Sequence, residues 1–118
     1  MYLGVTSMRG DPKVSTAEAD EDALGVADAI AMDRGSRVAV RGFVFIDANV
    51  GELLCSARRN DDPPTCDGVA LTLINLDTNR LDLDVPDDTE GSYDAWSRDI
   101  VTLIGRADRT TFVVDDIL

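Results

Sequence analysis

The chain has 118 residues and a formal net charge of −12, with 11 basic and 23 acidic side chains, two cysteines and no histidine. This length suits one domain, and an apolar fraction of 44% is enough for a packed core. A sequence without histidine excludes Ser-His-Asp and Cys-His catalysis and imidazole zinc sites. It contains no run of about 18 apolar residues, so we expect no membrane insertion.

The charge is carried mainly by aspartate and arginine, since 19 of the acidic residues are Asp and 10 of the basic residues are Arg. A GC-rich genome and adaptation to high salt both produce this bias. A net charge of −12 repels phosphate backbones, whereas nucleic-acid affinity depends on Lys and Arg that neutralise phosphates. The charge therefore favours a protein or small ligand over nucleic acid as the partner. The sequence leaves the oligomeric state open.

The N-terminal part predicts a flexible lead over residues 1–14, followed by a helix over residues 15–34. Ser15 and Glu18 have the spacing of a capping box, in which the hydroxyl accepts an early helix N–H and the carboxylate reaches back. Apolar residues then recur at spacings of three and four. This stripe predicts a helix packed on a sheet and consists of Ala23, Leu24, Ala27, Ile30 and Ala31.

From Arg37 onward the sequence pattern is typical of β-strands. Gly42 interrupts the first of them, and a glycine in mid-strand often marks a bulge or a sharp coil. An acidic stretch over residues 75–99 connects the third strand to the fourth. Five strands are expected, over residues 37–46, 52–57, 66–74, 99–106 and 111–115.

This order of elements resembles the oligonucleotide/oligosaccharide-binding (OB) fold over residues 37–117. That fold is a five-stranded Greek-key barrel with a glycine bend in its first strand and a long connection between its third and fourth strands. The resemblance implies a mainly β fold, an OB-like barrel with an N-terminal helix packed on it. It is carried by Val38-Ala39-Val40-Arg41-Gly42-Phe43-Val44, by Val101-Thr102-Leu103-Ile104-Gly105-Arg106 and by Phe112-Val113-Val114.

A narrower resemblance is to uncharacterised small OB-like proteins of actinobacteria. It is carried by Leu54-Cys55, by Trp96 and by the run Pro63-Pro64-Thr65-Cys66-Asp67-Gly68. In those proteins a Pro-Pro-x-Cys-Gly-Gly run is common, and Asp67 stands here in place of the first of its two glycines. The resemblance implies a fold and no established activity.

Cys55 and Cys66 lie at the end of the second predicted strand and the start of the third, with ten residues between them. Neighbouring antiparallel strands bring such positions within disulfide range. A structural disulfide is the favoured interpretation, and the alternatives are two buried thiols or a catalytic or metal-binding pair. Without a signal sequence the default location is cytoplasmic, whereas a Cys55–Cys66 disulfide would indicate export.

Acidic residues crowd the connection after the third strand, and their oxygen ligands raise the hypothesis of a calcium site. The spacing does not fit an EF-hand, because Leu81 stands at the fifth position counted from Asp77. A solvated acidic loop is therefore expected. No catalytic residue, metal or cofactor is predicted, and the chain is interpreted as not being an enzyme. The cluster consists of Asp77, Asn79, Asp82, Asp84, Asp87, Asp88 and Glu90.

The predicted function is a non-enzymatic OB-fold module that binds a protein or a small ligand. Phe43 and Phe45 are expected in the core, because a phase shift at Gly42 would point both rings inward. The first alternative is single-stranded nucleic-acid binding, which requires arginines that converge beside exposed phenylalanines. The second is an acidic decoy that imitates nucleic acid. Candidate binding residues are Arg41, Phe43, Arg58, Arg59, Tyr93 and Trp96; the nucleic-acid alternative adds Arg37.

Overall fold

The computed structural model describes residues 14–21, 23–32, 34–60, 64–85 and 93–118. Within these ranges the protein is mainly β and contains one short α-helix and one turn of 3-10 helix. The elements in chain order are β1 (Val14–Thr16), β2 (Leu24–Gly25), α1 (Val26–Ile30), β3 (Ser36–Asp47), β4 (Gly51–Arg59), β5 (Thr65–Ile74), the 3-10 turn (Thr78–Arg80), β6 (Leu83–Asp84), β7 (Ala95–Ser97), β8 (Val101–Asp108) and β9 (Thr111–Ile117).

The five long strands are joined by a closed circuit of pairings. β3 pairs with β4 and β4 with β5, both antiparallel, and β5 pairs with β9 in parallel. β9 then pairs with β8, and β8 returns to β3, again antiparallel. The short strands are additions to this circuit, with β1 on β4, β2 and β7 on β3, and β6 on β7. The five predicted strands are confirmed, each within a few residues of its expected bounds. The expected total of five is wrong, because four short strands also pair with the sheet.

Gly42 marks the point at which β3 changes partner. The strand pairs with β8 as far as Gly42 and with β4 from Phe43 onward. A Cβ atom at position 42 would lie 2.7 Å from Cγ of Leu54 and 2.8 Å from the carbonyl oxygen of Cys55. Glycine is needed here because β4 approaches the backbone of β3 too closely for any side chain.

The strands bury apolar residues on both of their faces. The inner core contains Val40 and Val44 of β3 and is completed by Val26 and Ala29 of α1. The alternation along β3 continues unchanged through Gly42, so Phe43 and Phe45 point to the other face. Both rings are buried, as expected, but the predicted phase shift that would turn them inward is wrong.

The predicted N-terminal helix is wrong in its extent and in its buried face. Val14–Thr16 is a strand paired with β4, and the hydroxyl of Ser15 accepts a hydrogen bond from the Asn60 amide instead of capping a helix. The helix is confined to Val26–Ile30, because Leu24 and Gly25 pair with β3 immediately before it. Its buried residues are Val26 and Ala29, whereas Ala27 of the predicted stripe is exposed.

The predicted flexible lead lies outside the described residues except for Val14, which begins β1. In the part of the chain that the structure describes, no helix has the length and apolar character needed to cross a bilayer.

Candidate functional site

A second apolar cluster fills the outer face of β3 and β4. We define this outer cluster by its buried members Ala17, Phe43, Phe45, Cys55 and Trp96. Trp96 reaches it because β7 pairs with β3, opposite Phe45. The Tyr93 ring packs on Phe45 with 4.8 Å between ring centroids. The outer cluster is therefore an aromatic surface that the chain covers with its own segments.

The covering segments are fixed to the sheet by backbone hydrogen bonds. The Ala17 N–H donates to the carbonyl oxygen of Ser56 at 2.9 Å, and the Asp94 N–H donates to that of Ile46 at 2.7 Å. The Asp94 carboxylate in turn accepts from the Ala48 N–H at 2.6 Å. Both covers are thus part of the hydrogen-bonded sheet and hold Trp96 at 7% exposure.

A disulfide joins Cys55 of β4 to Cys66 of β5, with 5.8 Å between the Cα atoms. Cys55 is fully buried in the outer cluster, and Cys66 packs against it. The bond therefore ties the two strands together beneath the aromatic cover. This confirms the prediction that Cys55 and Cys66 form a structural disulfide.

Arg58 lies at one edge of the outer cluster, over the ring of Phe43. Its guanidinium lies 5.0 Å from the centroid of the Phe43 ring, a cation–π contact. It donates to the carbonyl oxygens of Arg98 at 2.9 Å and of Ser97 at 3.3 Å, and to the Asn60 side chain at 2.9 Å. With so many protein partners, Arg58 serves as a structural clamp between β4 and β7.

The six candidate binding residues are only partly brought together. Phe43, Arg58, Tyr93 and Trp96 meet in or against the outer cluster, where Phe43 is 3% exposed and Trp96 is 7% exposed. Burial removes these two side chains from contact with any ligand while the cover is in place. Arg41 and Arg59 do not belong to this cluster, and Arg59 is exposed at the end of β4.

The other arginines required for nucleic-acid binding are held near carboxylates. Arg41 donates to the carbonyl oxygen of Glu18 at 2.7 Å and lies 3.5 Å from the Asp20 carboxylate. Arg37 lies 3.5 Å from the Asp115 carboxylate. The combination of exposed phenylalanine rings and converging arginines is therefore absent from the described residues.

The acidic connection after β5 is organised by ion pairs. Arg98 donates to the Asp84 carboxylate at 2.8 Å, and this hydrogen bond lowers the pKa of Asp84 below its ordinary value. Arg80 donates to Asp116 at 2.9 Å and lowers the pKa of that carboxyl in the same way. Among the described residues no group of His, Cys, Asp or Glu is arranged to hold a metal ion. Asp87, Asp88 and Glu90 lie outside the described residues.

A different surface lies on the outer face of β5, β9, β8 and β3. Four outward side chains follow one another from strand to strand in direct register, in the order Ile74, Val113, Arg106 and Arg37. We call them the cross-strand row. Ile74 is 48% exposed and Val113 is 37% exposed. Sequence reasoning missed this surface, because it depends on the parallel pairing of β5 with β9, two strands separated by 36 residues of chain.

No family model, no curated protein and no solved structure matches this chain.

Proposed function

We propose that this chain is a non-enzymatic OB-type barrel that binds a protein partner in an oxidising compartment. The closed circuit of five strands supports the OB-type interpretation, as does the sharing of β3 between β4 and β8 at Gly42. The long connection between β5 and β8 is a further feature that the resemblance implies. The short strands are then additions to a five-stranded barrel.

The apolar half of the cross-strand row carries the proposal. Ile74 and Val113 are direct neighbours on paired strands, and both remain exposed on a sheet face. The chain covers the outer cluster with β7 and the segment after β1, yet it leaves this apolar pair open. An exposed apolar patch beside polar residues is typical of protein-binding surfaces.

The burial of the aromatic side chains favours a protein over a nucleic acid as the partner. OB domains bind oligonucleotides on the face of their second and third strands, which correspond to β4 and β5. The outer cluster lies beside that face, on β3 and β4, and its Phe43, Phe45 and Trp96 rings are buried and unavailable for base stacking. A net charge of −12 further opposes the approach of a polyanion.

The Cys55–Cys66 disulfide supports the oxidising compartment, because cytosolic thiols are generally kept reduced. The bond lies within the fold, where it stabilises the hairpin formed by β4 and β5. An exported binding module is the proposal that accommodates both the disulfide and the open apolar pair.

The experiment uses peptides selected on the oxidised protein from a random display library, with affinities measured by fluorescence anisotropy. We expect I74D and V113D each to weaken binding about tenfold or more, because each places a charge where an apolar contact is buried. V50D is the matched control, since Val50 is 62% exposed in the β3–β4 turn and lies outside the row.

The proposed function is overturned if no selected peptide binds, or if I74D and V113D bind as well as V50D. A labelled oligothymidylate is titrated in parallel at low salt. Binding of this oligonucleotide with a steep salt dependence would instead establish the nucleic-acid alternative.

A further inference from the structure

The cationic half of the cross-strand row contains two arginines that face each other. Arg37 of β3 and Arg106 of β8 are direct partners in an antiparallel pairing. Both point outward, since Arg106 alternates with the buried Gly105 and Ala107, and the Arg37 side chain is 59% exposed. Like charges directly opposite each other on a sheet destabilise the fold. This pairing therefore has a cost in the free protein.

The surrounding carboxylates do not fully offset that cost. Asp115 lies 3.5 Å from Arg37, and Asp116, which is hydrogen-bonded to Arg80, also attracts Arg37 electrostatically. Arg106 has no ion-pair partner among the described residues. The row thus has a local excess of positive charge next to its exposed apolar pair.

We propose that Arg37 and Arg106 bind a carboxylate of the partner protein, whose apolar side chain packs on Ile74 and Val113. This inference rests on the proposed function and assigns the partner's chemistry. A carboxylate between two guanidinium groups accepts charge-assisted hydrogen bonds from both and relieves their mutual repulsion. A second copy of this chain is disfavoured as the occupant, because two bodies of charge −12 repel each other.

The strand spacing sets the distance between the two contacts on the partner. Neighbouring strands lie about 4.8 Å apart, so the middle of the apolar pair and the middle of the arginine pair are about 10 Å apart. An extended segment rises about 3.3 Å per residue and presents alternate side chains to one face. Two positions span about 7 Å and four about 13 Å, which bracket the separation of about 10 Å, and the long arginine side chains can span the difference. The partner motif is therefore an acidic residue two or four positions from an aliphatic or aromatic one in an extended segment.

The test is a double-mutant cycle between the protein and an acidic peptide from the selection described above. R106Q is expected to weaken binding about tenfold, and the peptide's Glu→Gln change is expected to weaken it by a similar factor. The two changes together should cost little more than either alone, because they remove the same contact. R109Q is the matched control, an exposed arginine in the β8–β9 turn outside the row, and should change affinity by less than about twofold.

Each outcome separates this inference from the proposed function. The carboxylate contact would be overturned by any of three results. These are additive losses of affinity in the double-mutant cycle, a selection dominated by basic peptides, and equal effects of R106Q and R109Q on affinity. If I74D and V113D still abolish binding in those cases, the proposed function stands. Tighter binding of a phosphoserine peptide than of its glutamate counterpart would also overturn the inference, by assigning the site to phosphate.

The stability of the free protein gives a second test, which does not depend on any partner. The free R106Q protein should unfold at the same urea concentration as the parent or at a higher one, because the substitution removes a like-charge pair. A marked loss of stability would show that Arg106 has a structural role and would also count against the inference.

Discussion

One edge of β3 pairs first with β8 and then with β7. Between these two pairings, the Ser97 side chain takes the place of a backbone carbonyl as the hydrogen-bond acceptor for β3. Its hydroxyl oxygen accepts a hydrogen bond from the Val44 N–H at 2.9 Å, and the residue is 1% exposed. S97A would leave that N–H buried and unsatisfied, so we expect a loss of about 1–3 kcal/mol in the free energy of unfolding. Urea denaturation followed by the fluorescence of Trp96 measures this loss.

Ser56 provides the matched control for that substitution. Its hydroxyl also accepts from a backbone N–H, that of Val69 at 3.0 Å, but this hydrogen bond is exposed to solvent. Water can replace the acceptor in S56A, and the expected loss is therefore smaller, about 1 kcal/mol or less. Equal losses in the free energy of unfolding for S97A and S56A would mean that water reaches the hydrogen bond between Val44 and Ser97.

At the scale of single residues, the sequence predicts burial better than it predicts the face on which burial occurs. Phe43 and Phe45 are large and apolar, and their burial could be expected from residue type alone. Their direction could not, because it depends on β7 and the segment after β1 covering the outer face of β3. Without that cover, strand alternation would leave both rings exposed.

Among the elements, the β4–β5 hairpin is the one that carries a covalent constraint. Cys55 and Cys66 close a short loop, which restricts the unfolded chain and contributes about 2–3 kcal/mol in the chain-entropy estimate. Reduction should lower the free energy of unfolding by that amount, and the C55A/C66A double variant should lower it by at least as much, because it also removes the buried Cys55 sulfur. Chemical denaturation with and without reductant measures the difference.

The C55A/C66A variant is also the control for the reductant, which should have no effect on its stability. A second readout is local. Trp96 is the only tryptophan and packs in the outer cluster with Cys55, so loosening of the cover should shift its emission toward longer wavelength. Unchanged stability on reduction would show that the disulfide contributes nothing to the fold.

The elements that the sequence predicts well are those whose signals are local. Each long strand shows its own run of Val, Leu, Ile or Phe between turn residues, and all five are confirmed. The helix over 15–34 is wrong because distant strands compete for its residues, with β4 pairing with Val14–Thr16 and β3 with Leu24–Gly25. The cross-strand row could not be predicted either, because its register is set by pairings between strands far apart in sequence.

For the whole molecule, the dominant electrostatic quantity is the net charge of −12. Most of the described ion pairs are exposed, as in Arg98–Asp84 and Arg80–Asp116, and exposed pairs contribute little to stability. Repulsion among the remaining carboxylates opposes the compact state. The two effects respond to salt in opposite directions, because screening weakens attraction and repulsion alike.

We expect repulsion to dominate, so that added sodium chloride stabilises the protein. Raising the concentration from about 0.01 M to about 1 M shortens the Debye length from about 30 Å to about 3 Å, which screens repulsion between carboxylates across the surface. The thermal unfolding midpoint should therefore increase with salt. An E18Q/E21Q variant, which removes two exposed carboxylates, should be more stable than the parent at low salt and should gain less from added salt. Sucrose is the control for effects of co-solvent that do not involve charge. A midpoint that decreases as sodium chloride is added would show that the exposed ion pairs outweigh the repulsion, and that the surface charges are arranged to stabilise the fold at low salt.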